Sequence, residues 1–316
     1  MPSYFLVAVS TRENLQLCVQ HGLAGFPRSG PGVWAYEDIT VGDYISFLYG
    51  AKVHNLYKVA ERRAYLDAAA LPPWEPLVFA SGRRYDFAYR LLLEPVVGLT
   101  ESIARPEFSY VGENLLLRGG YGKTHIQADQ VTFNQVSAMR GSPHPPHQSL
   151  ALPRGDFEPQ FERGRPTRPI LQLTELIVQS VIRKHLLDPT NRAAFLSPFG
   201  IGEADSWEFL SEKALESGFV DIFGKEAHPT GRQRTLPVEV KLNRLTSKDV
   251  AQVAKYRREL GEFCVGGALI GEGASTKTVH EAERSGILPF SYELHGLTQP
   301  APFAEIANAI RLVPLA

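Results

Sequence analysis

Cysteine is almost missing from these 316 residues: there are two, Cys18 and Cys264. They are far apart, which excludes a disulfide framework and a cysteine-based zinc site. A reducing, cytoplasmic setting is the simple expectation. No apolar run approaches the roughly 18–20 residues needed to span a membrane. The opening MPSYFLVAVSTREN has no basic segment ahead of its short apolar run, so it reads as a first β-strand and not as a signal peptide. Excess charge of either sign is also missing, with a net charge of −1. Overall charge therefore gives no sign of nucleic-acid binding, although a local basic patch is enough to hold phosphates. No internal repeat is visible.

What is present is ordinary globular material, 44% hydrophobic and 21% charged, enough for two cores. Residues 1–140 read as mainly β. Tyr4 to Val9 is a short apolar run, Tyr44 to Tyr49 and Asn55 to Val59 form a hairpin, and Tyr85 to Val97 is a further apolar stretch. A curved sheet of five or six strands or a small barrel is expected. Residues 141–168 form the expected linker. The run from 141 to 170 holds 7 of the 23 prolines, and proline removes a backbone donor and fixes φ. Residues 169–316 read as α/β: a helix through Leu173, Leu176, Ile177 and Val181, then strands at Phe219–Phe223 and Leu236–Lys241. A helix from Ser247 to Leu260 follows, then a strand, a helix and a strand.

Chemistry is concentrated in GFVDIF, ending on Phe223, and LPVEVK, ending on Lys241. Side chains alternate along a strand, so Glu239 and Lys241 share a face while Val238 and Val240 take the other. A hairpin partner brings Asp221 beside Glu239. Two adjacent carboxylates repel unless a divalent cation lies between them, and Mg²⁺, with Mn²⁺ as substitute, suits one or two carboxylates plus water and phosphate. Lys241 would then orient the attacking water or stabilise charge on the phosphate. The plain alternative for this short motif is the polar face of an amphipathic hairpin. Gln252 and Tyr256 lie one turn apart on one face of the next helix, and Glu175 lies on the helix before the hairpin. Arg244, Lys248, Lys255, Arg257 and Arg258 form a basic set that is either a phosphate contact or a solvated helix face.

The run GFVDIFGKE…LPVEVKLNRLTSKDVAQVAKYRRELG…CVGGALIG resembles the RecB-like nuclease domain of the NucS/EndoMS mismatch endonucleases, of the PD-(D/E)xK class, over about residues 170–295. That resemblance implies a restriction-endonuclease-like α/β fold. It also implies a catalytic set of Asp221, Glu239, Lys241, Gln252, Tyr256 and Glu175, with Asp221 and Glu239 as metal ligands.

The N-terminal half carries a different likeness. Gly32-Val33-Trp34-Ala35, then Ile39 to Tyr49 and Leu56 to Val59, resembles the EVE and YTH branch of PUA-like domains, which hold a modified, extruded base among aromatic rings. That implies a mainly β PUA-like domain, with Trp34, Tyr36, Tyr49, Tyr57 and Trp74 as walls and Arg83 and Arg84 on phosphate. For Phe47, Tyr49 and Tyr57 the alternative is barrel core; Trp34 follows a Gly-Pro-Gly turn that favours exposure. The stretch Gly119 to Thr124 lacks full P-loop spacing, and His125, His144 and His147 match no zinc pattern.

The expectation is a two-domain, Mg²⁺-dependent endodeoxyribonuclease acting on double-stranded DNA, recognising a modified base through its N-terminal domain and working as a homodimer. A mismatch or structure-specific repair nuclease is the alternative enzyme, and an inactive nucleic-acid-binding module the alternative of another class.

Overall fold

The computed structural model describes residues 2–50, 52–78, 81–82, 84–98, 109–118, 124–139, 148–229 and 231–315. The chain divides into two compact units. One takes Met1–Gly112 and Gly120–Pro159, the other Glu113–Gly119 and Gln160–Ala316.

In the first unit, β1 (Tyr4–Ala8), α1 (Arg12–His21), β2 (Leu23–Phe26), α2 (Gly30–Asp38), β3 (Tyr44–Tyr49) and β4 (Lys52–Ala64) come first. They are followed by β5 (Leu77–Val78), β6 (Arg84–Tyr85) and β7 (Tyr89–Val97). Then α3 (Ser109–Leu117), which continues into the second unit, precedes β8 (His125–Ala128) and α4 (Gln130–Ser137). The sheet runs β2-β7-β4-β3-β1-β8, antiparallel throughout except for β1 beside β3. Among the described residues no ladder joins the edge strands β2 and β8 into a closed barrel. Helix α1 starts on the Thr11 side chain and ends on Gly22 at φ 57°, the left-handed stop that glycine favours.

The Gly-Pro-Gly run before Trp34 is a helix start and not an exposing turn. Ser29 caps α2 and Pro31 lies in its first turn, where a missing N–H costs nothing. A Cβ on Gly32 would lie 1.9 Å from the Pro27 carbonyl oxygen, so glycine is needed for this close approach.

The second unit continues with β9 (Gln160–Glu162), β10 (Leu171–Gln172), α5 (Glu175–His185), α6 (Pro189–Leu196), β11 (Trp207–Leu215), β12 (Gly218–Glu226) and β13 (Thr235–Val240). Then come α7 (Ser247–Leu260), β14 (Gly267–Gly271), α8 (Thr276–Arg284), β15 (Ile287–Leu294), β16 (Ala301–Pro302), α9 (Phe303–Ala309) and β17 (Ile310–Pro314). Its main sheet runs β11-β12-β13-β14-β15-β17. The centre β13-β14-β15 is parallel and the flanks are antiparallel. Helix α7 packs on that centre through Val250 and Val253 against Leu269 and Ile287. Its start is held by Thr246, the N-cap, and Asp249 in a reciprocal capping box.

The expected linker is corrected in its described part. Its proline content removes regular secondary structure but not packing. Arg63 donates to the carbonyls of Leu152 and Pro153, Tyr65 donates to Pro153, and the backbone N–H groups of Asp156 and Phe157 both donate to the Ala64 carbonyl. Gln160–Glu162 is already a strand of the second unit, between β10 and β16. Strand β11, not expected from the sequence, turns the hairpin into a three-stranded antiparallel run.

Candidate active site

Strands β12 and β13 pair with Ile222 opposite Val238. One step on, this register sets Asp221 opposite Glu239. Both are buried, at 9% and 2% exposure. The Asp221 Oδ2 accepts the backbone N–H of Val240 at 2.8 Å, tying it to the strand that carries Glu239. The Glu239 Oε1 accepts from Lys241 Nζ at 2.6 Å and from Gln252 Nε2 at 2.7 Å. The other oxygen, Oε2, is buried without a hydrogen-bond partner among the described residues. A buried acceptor left open in this way is costly unless something positive meets it.

Helix α7 supplies the next layer. Gln252 Nε2 also donates to the Tyr256 hydroxyl at 2.8 Å, and that hydroxyl donates to the Phe219 carbonyl at 2.8 Å. Gln252 and Tyr256 thus link both carboxylate-bearing strands. Gly218, at φ 147°, opens β12 where a Cβ would lie 3.1 Å from the Tyr256 hydroxyl. Glu175, first residue of α5, accepts the Leu242 N–H at 3.3 Å and lies 3.6 Å from Lys241 Nζ. All six residues expected at the site are therefore gathered there.

The electrostatics follow from burial. Asp221 is pushed well above the usual carboxylate range, first by burial and then by the Glu239 charge, with Lys241 pulling against both. Glu239 rises to about 7, mainly by burial, with the Lys241 charge and hydrogen bond opposing. Burial works against the Lys241 charge, but Glu239, Asp221 and Glu175 outweigh it and hold the ammonium above its usual value. Tyr256 rises to about 12 through burial.

Among the described residues no group of three or more histidine, cysteine or acidic side chains could hold a metal ion. Two carboxylates with one open buried oxygen nevertheless fit a hard cation that keeps water in its shell, as Mg²⁺ does. Sequence reasoning missed the support behind Leu242. Its carbonyl accepts from the Tyr292 hydroxyl at 2.7 Å, and Arg163 donates to that hydroxyl at 2.7 Å. Tyr292 is 50 residues from Leu242, and no local pattern links them.

Of the basic set, Arg257 donates to the Ser285 carbonyl and Arg244 to the Ala274 carbonyl, so both serve the fold. Lys248 is exposed; Lys255 and Arg258, also exposed, lie 3.4 Å from the Ser217 and Ala254 carbonyls.

The expected aromatic walls of the first unit are dispersed. Trp34 is buried edge-on to His125 at 4.5 Å, and Tyr57 is buried against Phe47 at 5.4 Å. Tyr36 is buried beneath the Arg62 guanidinium at 4.0 Å. These three are core, because α2 and β4 turn them inward. Tyr49 is half-buried and Arg84 exposed, while Arg83 lies outside the described residues. Trp74 packs on Phe87 at 5.1 Å, and both line a small cleft with Asn14, Cys18 and Phe47. His125 pairs with Asp38 at 3.0 Å in the core. His144, His147 and residues 119–123 of the glycine-rich stretch lie outside the described residues. No helix among the described residues is long and apolar enough to cross a membrane.

No family model matches the chain, and no curated protein matches it. Among the solved structures that show some similarity are two nuclease complexes. A complex of EndoMS with dsDNA is 14% identical with a TM-score of 0.24, covering 95% of this chain and 98% of that one. The MspJI restriction endonuclease in complex with a 27-mer oligonucleotide is 10% identical with a TM-score of 0.19, covering 92% and 70%. Similarity this slight carries no argument about fold, substrate or chemistry.

Proposed function

We propose that this chain is a divalent-cation-dependent endonuclease that hydrolyses phosphodiester bonds in double-stranded DNA. The observation that carries the reading is the buried pair Asp221 and Glu239, with Glu239 Oε2 open and Lys241 on the other oxygen. Asp221 and Glu239 would hold Mg²⁺ or Mn²⁺. When bound, that cation supplies Lewis acidity at the scissile phosphate and makes water a better nucleophile. Lys241 stays charged beside the carboxylates and is available to orient water or to meet charge growing on the phosphate. Glu175 and Glu239 set the Lys241 ammonium between them. Gln252 fixes the Glu239 carboxylate, and Tyr256 fixes Gln252.

In the same proposal the first unit recognises the DNA. Its Trp74–Phe87 cleft takes an extruded base, a modified cytosine or adenine, by stacking on aromatic faces. The biological role is then modification-dependent restriction.

A cleavage assay with Mg²⁺ or Mn²⁺ on unmodified, methylated, hydroxymethylated and mismatched duplexes tests both parts. One modified duplex is expected to be cut. Asp221→Ala and Lys241→Ala are each expected to lower the rate by about a hundredfold or more. Cutting of mismatched duplex alone moves the protein to repair. Tight binding without cutting of any duplex sinks the catalytic reading.

A further inference from the structure

Strand β11 is an edge strand, paired with β12 alone. Its ladder matches Ser211 with Ile222 and Lys213 with Val220, and skips the pair between them. That pair is Glu212 and Asp221. In a regular antiparallel ladder, opposed side chains stand on one face with Cβ atoms roughly 4.5–5.5 Å apart. A regular Glu212 would therefore place a third carboxylate beside Asp221, on the side away from Glu239.

The backbone does otherwise. Glu212 has φ 34°, in the left-handed region that a side-chain-bearing residue adopts only under constraint. The constraint comes from α3. The Asn114 amide, fully buried, donates to the Glu212 carbonyl at 3.0 Å and accepts the Ala214 N–H at 2.8 Å, filling the open edge as a strand would. Arg118 donates to the same carbonyl at 2.9 Å and to Asn114 Oδ1 at 3.2 Å. Its guanidinium also lies 3.6 Å from the Glu212 carboxylate. Strain next to a buried acid, held by two buried polar side chains, is the kind of outlier that accompanies a functional position.

We propose that Asn114 and Arg118 are positioning residues. They hold Glu212 in its left-handed conformation, turn its carboxylate away from Asp221, and so keep the candidate centre a two-carboxylate site. The inference rests on the reading of Asp221 and Glu239 as cation ligands.

Titration of the full chain with Mn²⁺, followed by electron paramagnetic resonance, tests it without any activity. Asn114→Ala leaves every charge in place but frees the Glu212 carbonyl. The expected result is Mn²⁺ binding about tenfold tighter, because a third carboxylate joins the site. Adding Glu212→Gln to that variant is expected to return the affinity to the parent value. Arg118→Gln, alone and with Glu212→Gln, repeats the comparison should Asn114→Ala not fold. A merely structural role would weaken binding or leave it unchanged, whatever stands at position 212. Parent affinity in folded Asn114→Ala and Arg118→Gln, or weakening that Glu212→Gln does not reverse, overturns the proposal. Asp221→Ala separates the two readings: unchanged Mn²⁺ affinity there removes the cation site itself, and the positioning role with it.

Discussion

At the scale of single residues, Glu239 links structure to pH. In the cation-free protein its folded value is about 7, above the ordinary carboxylate range of the unfolded chain. Between those values the folded state keeps a proton that the unfolded state has lost. Stability therefore falls as pH rises from the ordinary carboxylate range to about 7 and stays low above that. Asp221, raised for the same reason, adds in the same direction. A cation bound between the two favours their charged forms and reverses the trend. Thermal unfolding is expected to show a midpoint that drops between about pH 5 and pH 8 without cation. Added Mn²⁺ should raise it far more at the higher pH, and Glu239→Gln should flatten both responses. A cation effect equal at both pH values would count against this account.

At the scale of elements, local sequence set helices well where caps were present. Helix α8 runs Thr276–Arg284, and α7 ends at Leu260 before Gly261. Sequence failed where burial outweighed local pattern. The buried α2 was read through its Gly-Pro-Gly start as an exposed turn, because glycine and proline mark both turns and helix N-termini. Strand β11 escapes the sequence reading because EFLSEKAL lacks period-two alternation: the apolar pairs Phe209-Leu210 and Ala214-Leu215 flank a polar Ser211-Glu212-Lys213 run. Its lysine and glutamate are nonetheless buried, paired with partners distant in sequence such as Glu113 and Arg118. Helix α2 offers a direct check. Gly32→Ala drives a methyl into the Pro27 carbonyl, which backbone atoms cannot avoid cheaply. Chemical denaturation is expected to show a loss of about 1–3 kcal/mol for the first unit. An unchanged midpoint would mean that α2 starts elsewhere.

At the scale of the whole molecule, the proposed function gives each chain one site, Asp221–Glu239, which would cut one strand at a time. A double-strand cut by this chain therefore calls for two copies, and a homodimer on DNA is the expected species. Sedimentation velocity should show a dimer at least when cognate duplex is bound. Monomer alone, free and on DNA, would limit the protein to nicking. The net charge of −1 makes local basic groups responsible for any DNA affinity, so binding should weaken steeply with salt.

The sequence by itself determined which carboxylates, lysine, glutamine and tyrosine can meet. Period-two alternation places Glu239 and Lys241 on one face, and helical spacing places Gln252 above Tyr256. Both are local geometric facts of the backbone. Only the tertiary structure decided how those groups are buried, which oxygen of Glu239 stays open, and what stands behind them. Tyr292 and Arg163 stand behind Leu242, and Asn114 and Arg118 hold Glu212, all from segments tens of residues away. It also decided against most of the aromatic wall, because burial of Trp34, Tyr36 and Tyr57 depends on which face α2 and β4 turn inward. Local pattern specifies an element and its stripe, whereas long-range packing specifies what that stripe meets.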